Sequence, residues 1–397
     1  MRKLIVLLFA VLLLCSCENT NESLTLNVYN WGEYISDGSE GTLNVNEEFE
    51  NYCLEELGKE VKVNYTTYAS NEDMYNKIKS GSASYDVIIP SDYMIEKMIA
   101  EDMLLKLDFD NIPNYEYVNE DYKDLFFDPE NEYSVPYTYG MVGIIYNEEM
   151  VDEEDIGSWE LLWNEKYKGQ ILQFNNPRDA FGTAIYSVGG DVNTTDVAVW
   201  ENAAEKLKAQ KPLVQSYVMD EIFNKMKNGS AAAAPYYAGD YLTMHDSNES
   251  LKFYFPKEGT NIFVDSMCIP SCARNKELAE EYINFMLTDD IAIANAEYIA
   301  YSSPLDNVRK SETYIADMTD WNEEVMDILY PENLGIRTQY YENLDSDTLL
   351  LQNSLWETLK IENAVEPWVY ITSLSIIILL AAIMLYNYIV KKIRDNY

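Results

Sequence analysis

Between Leu24 and Tyr34 the chain reads LTLNVYNWGEY, and its last residues bring Trp31, Glu33 and Tyr34 within four positions of one another. An aromatic face attracts a cation through its quadrupole and a carboxylate attracts it through its charge, so a ring beside an acid suits an organic cation. The preceding alternation of Leu24, Leu26 and Val28 predicts a strand, which places the cluster at a strand's carboxyl end, the rim where open α/β sheets collect ligands. A packed Trp in an ordinary capping turn would show the same residues, so the remaining elements have to decide.

Those elements extend the rim. A loop over Ser36 to Asn46 and a helix over Glu47 to Leu57 lead to a strand over Lys59 to Tyr65; a helix over Asn71 to Ser80 then leads to the apolar run Tyr85 to Pro90. The order βαβαβ predicts a parallel sheet, and Ser91, Asp92 and Tyr93 then follow its third strand onto the rim of Trp31. After an acidic, tyrosine-rich stretch from Leu104, the β-like sequence Tyr133 to Ile145 is expected to cross into a second lobe. There, a helix over Ser158 to Tyr167 and a strand over Gly169 to Phe174 would deliver Asn176, Arg178 and Asp179 to a strand-to-helix junction. Helices over Thr195 to Ala209 and Met219 to Lys227 would precede a strand over Ala231 to Tyr237, which runs into Asp240. Lys252 to Pro256 reads as the return crossing, followed by a strand over Asn261 to Ile269 that carries Asp265, a helix over Lys276 to Leu287, and a long helical region. Two crossings predict two α/β lobes with a cleft between them, the interface that small-ligand sites favour; one continuous sheet would scatter the acids and rings.

The chain has 397 residues, room for two domains, and 68 Asp and Glu against 28 Lys and Arg give a net charge of −40. That charge repels a nucleic-acid backbone and favours cationic partners, although acidity also serves solubility. The 33 Tyr and 7 Trp supply rings in excess. Residues 1–17, MRKLIVLLFAVLLLCSC, have the basic start, apolar run and small residues of an export signal. Its end, Leu14-Cys15-Ser16-Cys17, resembles a bacterial lipobox, which makes Cys17 the expected lipid anchor. Trp368 to Val390 is an uncharged apolar stretch of 23 residues, about 34 Å as a helix, and reads as a transmembrane helix. Lys391, Lys392 and Arg394 follow it, so the tail 391–397 is expected in the cytoplasm and the bulk of the chain outside. Between these ends Cys53, Cys268 and Cys272 form an odd set without a disulfide framework or a zinc spacing, and His245 is the sole histidine.

Several stretches together resemble the extracellular polyamine-binding proteins, of spermidine/putrescine type, that serve ATP-driven importers. They are VYNWGEY at Val28 to Tyr34, TYASNEDMYNKIKSGSASYDVIIPSDYMIEKM at Thr67 to Met98, YSVPYTYG at Tyr133 to Gly140, WNEKYKGQIL at Trp163 to Leu172, YAGD at Tyr237 to Asp240, FPKEG at Phe255 to Gly259 and FVDSMCIP at Phe263 to Pro270. The resemblance covers roughly Leu24 to Lys360. It implies an α/β periplasmic-binding-protein fold of type II-like kind, with residues 24–135 and 257–305 in one lobe, 138–255 and 306–363 in the other, and a hinge between them. It further implies a polyamine as ligand, the permease subunits of an ABC transporter as partners, and no cofactor. Trp31, Glu33 and Tyr34 match the family's first cluster, Ser91 and Tyr93 the positions after its third strand, and Asp179 an acid that holds one ligand end. Tyr237, Phe263 and Tyr301 match aromatic walls, and Asp265 a central acid. Asn176 stands where spermidine binders can carry an acid, whereas Asp240 supplies one in the manner of putrescine binders, so the particular polyamine stays open.

Three other readings use the same residues. A hydrolase needs a nucleophile or an acid–base pair, and no G-x-S-x-G elbow or phosphate loop accompanies the lone His245. A calcium-binding adhesion module would exploit the acidity, but Asp37 to Glu48 lacks the spacing of an EF-hand loop. A membrane-tethered sensor of a cationic ligand would have to signal through a partner, because the tail ending at Tyr397 has no room for an output domain.

Overall fold

The computed structural model describes residues 23–331 and 333–361 and scattered positions from 372 to 383. The signal segment with Cys17 lies outside the described residues, as does most of the expected transmembrane stretch 368–390. Its described positions are helical and exposed, Leu374, Ile376 and Leu379 among them. Among the described residues no helix is long and apolar enough to cross a membrane.

Ten strands follow one another along the chain: β1 Leu24–Trp31, β2 Val61–Tyr68, β3 Val87–Ile88, β4 Ser134–Asn147, β5 Ile171–Phe174, β6 Val214–Val218, β7 Ala233–Tyr237, β8 Leu251–Tyr254, β9 Thr260–Cys268 and β10 Thr338–Gln339. β1 pairs in parallel with both β2 and β3, as the βαβαβ order predicts. The strand Val61–Tyr68 runs to the carboxyl side of its expected place because Val61 and Val63 face the core while Lys62 and Asn64 face solvent. The third strand, expected over six residues, keeps two in the ladder; its neighbours are buried and continue straight into the helix Asp92–Ala100.

The expectation that a continuous sheet would scatter the site needs correction. Pairing runs unbroken in the order β2-β1-β3-β9-β4-β7-β5-β6, with β8 on β4 and β10 on β9. The reason lies in β4, whose fourteen residues serve two partners: Ser134 to Met141 pair antiparallel with β9, while Val142 to Asn147 pair with β7 and β8. One long strand thus belongs to both halves, and its register shifts between Pro136 and Thr138. The return does not occur at Lys252 to Pro256: β8 stays on the far end of β4, and β9 carries the chain back.

Two other elements differ from expectation. Ser158 to Tyr167 forms 3-10 turns, Trp159–Trp163 and Glu165–Tyr167, because Asn164 caps a fresh turn and the indoles of Trp159 and Trp163 are tied to Gly259 and Lys206 carbonyls. β6 has no counterpart in the sequence reading, its short VQSYV run being only partly buried. The helices behind the sheet are capped as their sequences suggest: Ser70 caps Asn71–Lys79, Asn176 caps Pro177–Tyr186, and Asp196 caps Val197–Gln210. Cys53 and Cys268 are buried free thiols and Cys272 is half-buried.

Candidate ligand-binding site

The carboxyl ends of β1, β3, β5 and β7, together with the middle of β9, converge on one cleft of about 790 Å³, mouth included. Eleven of the twelve residues singled out above line it: Trp31, Tyr34, Ser91, Tyr93, Asn176, Asp179, Tyr237, Asp240, Phe263, Asp265 and Tyr301. Glu33 does not. It has φ 51° in the left-handed region, which turns it outward, and it is exposed. Its charge still acts on Asp220 and Asp240 near the cleft.

The turn after β1 is held by Asn30, whose side-chain oxygen accepts from Trp31 N at 2.8 Å and whose amide donates to Tyr34 O at 3.3 Å. The Trp31 indole donates to Ile89 O at 2.9 Å, fixing its ring across the end of β3. Tyr34 is thereby sent inward, where its hydroxyl donates to Asp265 Oδ2 at 2.8 Å and meets Thr138 Oγ1. Its ring stands edge-on to Tyr301, centroids 4.9 Å apart, and Phe263 stands edge-on to Tyr237 at 5.5 Å. Two of these rings depend on missing side chains. A Cβ at Gly140 would meet Phe263 Cζ at 2.7 Å, and one at Gly239 would meet Tyr301 Cδ2 at 2.6 Å.

Four lining carboxylates, Asp92, Asp179, Asp240 and Asp265, are at least nine-tenths buried and form no ion pair among the described residues. Asp265 is 4% exposed; its Oδ1 has no hydrogen-bond partner, and burial pushes its pKa up to about 6. Asp240, in the first turn of the helix Ala238–Ser247, accepts from the Tyr301 hydroxyl at 2.8 Å and is pushed up to about 8, chiefly by burial. Asp179 is raised by burial as well, against the pull of Asn176 Nδ2 at 2.7 Å and the Tyr237 hydroxyl at 2.8 Å. Asn176 therefore acts here through Asp179, with its side-chain oxygen occupied in capping Asp179 N at 2.8 Å. Asp92, also lining the cleft, is engaged in structure: it accepts from Tyr93 N at 2.7 Å and from Val264 N at 3.3 Å.

Lining residues with chemistry to offer that the sequence does not single out include Glu72, Asp220, Tyr341 and, as a cleft residue, Arg178. Glu72 sits in the first turn after β2, so applying the strand-end rule to that strand would have found it. Asp220 follows β6, the strand that was not anticipated, and Tyr341 arrives from far along the chain. Arg178 is the only basic side chain among the described lining residues, against six acids. Its guanidinium is turned to Val192 O, Asn193 Oδ1 and Glu342 O at 3.2, 2.8 and 3.0 Å, and its Cζ lies over the Tyr341 ring, 4.5 Å from the centroid. It makes no ion pair with the cleft acids among the described residues. His245 lies outside the cleft, with Nδ1 2.9 Å from Leu251 O.

A cavity with ring walls, buried uncompensated acids and a long shared strand fits a protein that closes on an organic cation. Residues 82–322 match the family model of the bacterial extracellular solute-binding proteins. The spermidine/putrescine-binding periplasmic protein of Escherichia coli K12 is 34% identical over 83% of this chain and 89% of its own. A solved Listeria monocytogenes protein assigned to spermidine/putrescine ABC transport superposes with TM-score 0.77 at 35% identity, over 86% of this chain and 100% of that one. The spermidine/putrescine ABC transporter substrate-binding protein PotD of Streptococcus pneumoniae gives 0.66 at 34% identity, over 85% and 99%. The chain belongs to the bacterial extracellular solute-binding proteins with the two-lobe α/β fold, within the spermidine/putrescine-binding group that serves ABC importers.

Proposed function

We propose that this protein captures a polyamine, spermidine or putrescine, between its lobes outside the cytoplasm and delivers it to the permease of an ABC importer. The observation that carries the reading is Asp265, a buried carboxylate with one oxygen unpartnered, in a cleft whose sole basic side chain among the described residues points elsewhere. A polyamine is a chain of methylenes with ammonium groups at intervals. Its methylenes suit Phe263, Tyr237 and Tyr301, and its charges suit Asp265, Asp179 and Asp240. Each charged hydrogen bond contributes about 1.5–3 kcal/mol and each cation over a ring about 0.5–2 kcal/mol, so three or four contacts support micromolar affinity after the cost of ordering the chain.

Lobe closure would turn on residues 24–135 with 257–305 against 138–255 with 306–363, and the register shift at Pro136 to Thr138 supports a hinge at that junction. Lipid on Cys17 and a membrane helix over 368–390 would tether the lobes at both ends, a reading supported by the exposed apolar helical positions Leu374, Ile376, Ile378, Leu379, Leu380 and Ile383. Calorimetric titration of the full chain with spermidine and putrescine, with lysine as control, tests the ligand: saturable binding of a polyamine is expected, and its absence in folded protein would refute the reading. Mass spectrometry of the mature N-terminus tests the lipid, and accessibility of a tag after Tyr397 from the cytoplasm tests the topology.

A further inference from the structure

Arg178 and the two acids beside it pose a question that the assigned ligand residues leave open. Asp179 enters the cleft from the helix Pro177–Tyr186, and Glu72 enters it from the helix Asn71–Lys79 on the other half of the sheet. Burial raises the pKa of Glu72, and the charge of Asp179, which lines the same cleft, pushes in the same direction. A guanidinium adjacent in sequence would be expected to bridge them. Instead its Nη atoms are taken by two carbonyls and the Asn193 side chain, its Nε has no partner, and its Cζ lies over the Tyr341 ring. Glu72 keeps one hydrogen bond, from the Tyr93 hydroxyl at 3.0 Å, and that hydroxyl is itself held by Asn71 Nδ2 at 3.1 Å. It forms no ion pair among the described residues. The same cleft contains the unpartnered Asp265 Oδ1, which independently marks the cavity as awaiting a cation.

We infer that Glu72 is a further ligand-binding residue, which with Asp179 from the opposite lobe clasps one ammonium group and so ties closure of the cleft to the presence of that charge. The inference rests on the polyamine reading. Without a cation, closure brings two carboxylates together in a poorly hydrated space, which opposes it; an ammonium between them reverses the sign. Such a group has three N–H donors, enough for Glu72, Asp179 and a further acceptor. Tyr93, Asn71 and Asn176 then act as positioning residues that hold the two acids in place.

Titration of the full chain compares wild type, Glu72→Gln and Glu72→Asp with the polyamine that the wild type binds. Glu72→Gln keeps the acceptor for Tyr93, so its unliganded melting temperature is expected to stay near that of the wild type while Kd rises about 10-fold to 100-fold. Glu72→Asp, which keeps the charge, is expected to bind more tightly than Glu72→Gln. Burial raises Glu72 from its ordinary range, and the groups facing it are Tyr93, Asp179 and Arg178, so wild-type affinity should fall on acidification and Glu72→Gln should show a shallower fall. Wild-type affinity in Glu72→Gln, or equal Kd in Gln and Asp variants, overturns the inference alone. Failure of the wild type to bind any polyamine overturns the polyamine reading and this inference with it.

Discussion

Asp265 in the cleft and Glu101 on the outer surface each accept from a tyrosine hydroxyl, Tyr34 at 2.8 Å and Tyr75 at 2.7 Å, yet their pKa values are displaced in opposite directions. Glu101 also receives Lys79 at 2.9 Å and Lys97 at 3.0 Å and, led by the Tyr75 hydrogen bond, is held down at about 2. Asp265 has no base, and burial pushes it up to about 6. A chain of net charge −40 thus keeps two kinds of acid. Carboxylates such as Glu101 are compensated within the molecule, whereas those of the cleft are left short of positive charge and are compensated by what binds.

Removing the cleft charge should have the largest effect. Asp265→Asn is expected to weaken polyamine binding at least about 100-fold, since it removes a desolvated charge pair; calorimetry that finds near-wild-type affinity would show the acid to be structural. A second effect concerns the unliganded protein. Burial raises the folded-state pKa of Asp265 to about 6 and of Asp240 to about 8, so the fold binds these protons more tightly than the unfolded chain does. Their contribution to stability is therefore full below the unfolded value of about 4 and is lost as pH rises through the folded values. The unliganded melting temperature should fall between pH 5 and 8, less steeply in Asp240→Asn, and saturating polyamine should restore it. A melting temperature that rises over this range in both proteins would contradict the assignment.

Smaller effects sharpen the contrast. Gly239→Ala places a methyl against Tyr301 and the Ala300 carbonyl, and overpacking of this kind costs about 1–3 kcal/mol. The displaced Tyr301 would lose its bond to Asp240, so both melting temperature and affinity should drop, and a change in the first without the second would separate the ring from the ligand. Glu101→Gln should change stability by less than about 1 kcal/mol and leave Kd unaltered, because exposed pairs are screened by water and salt.

How much of the site was legible follows from how local each part is. Trp31, Tyr34, Asp179 and Asp240 were found because each sits just past a strand that its own sequence announces. Asp220 was lost with β6, whose partly buried run carries little periodicity, and Tyr341 because no local pattern relates it to Arg178. The strand-end pattern of its neighbours points Glu33 inward, and its left-handed backbone turns it out.

Most of the strand and helix order, the acidity and the family pattern can be read from the residues alone, because alternation, turn residues and charge are properties of short segments; β6 and the 3-10 turns at Trp159–Trp163 and Glu165–Tyr167 are the exceptions. Long-range packing sets the rest: β4 serves both halves of the sheet, the Arg178 guanidinium faces backbone carbonyls, and Asp265 and Asp240 lie buried beside tyrosine hydroxyls. Those outcomes depend on which distant segments exclude water from a given carboxylate, and desolvation is set by the whole fold around a group.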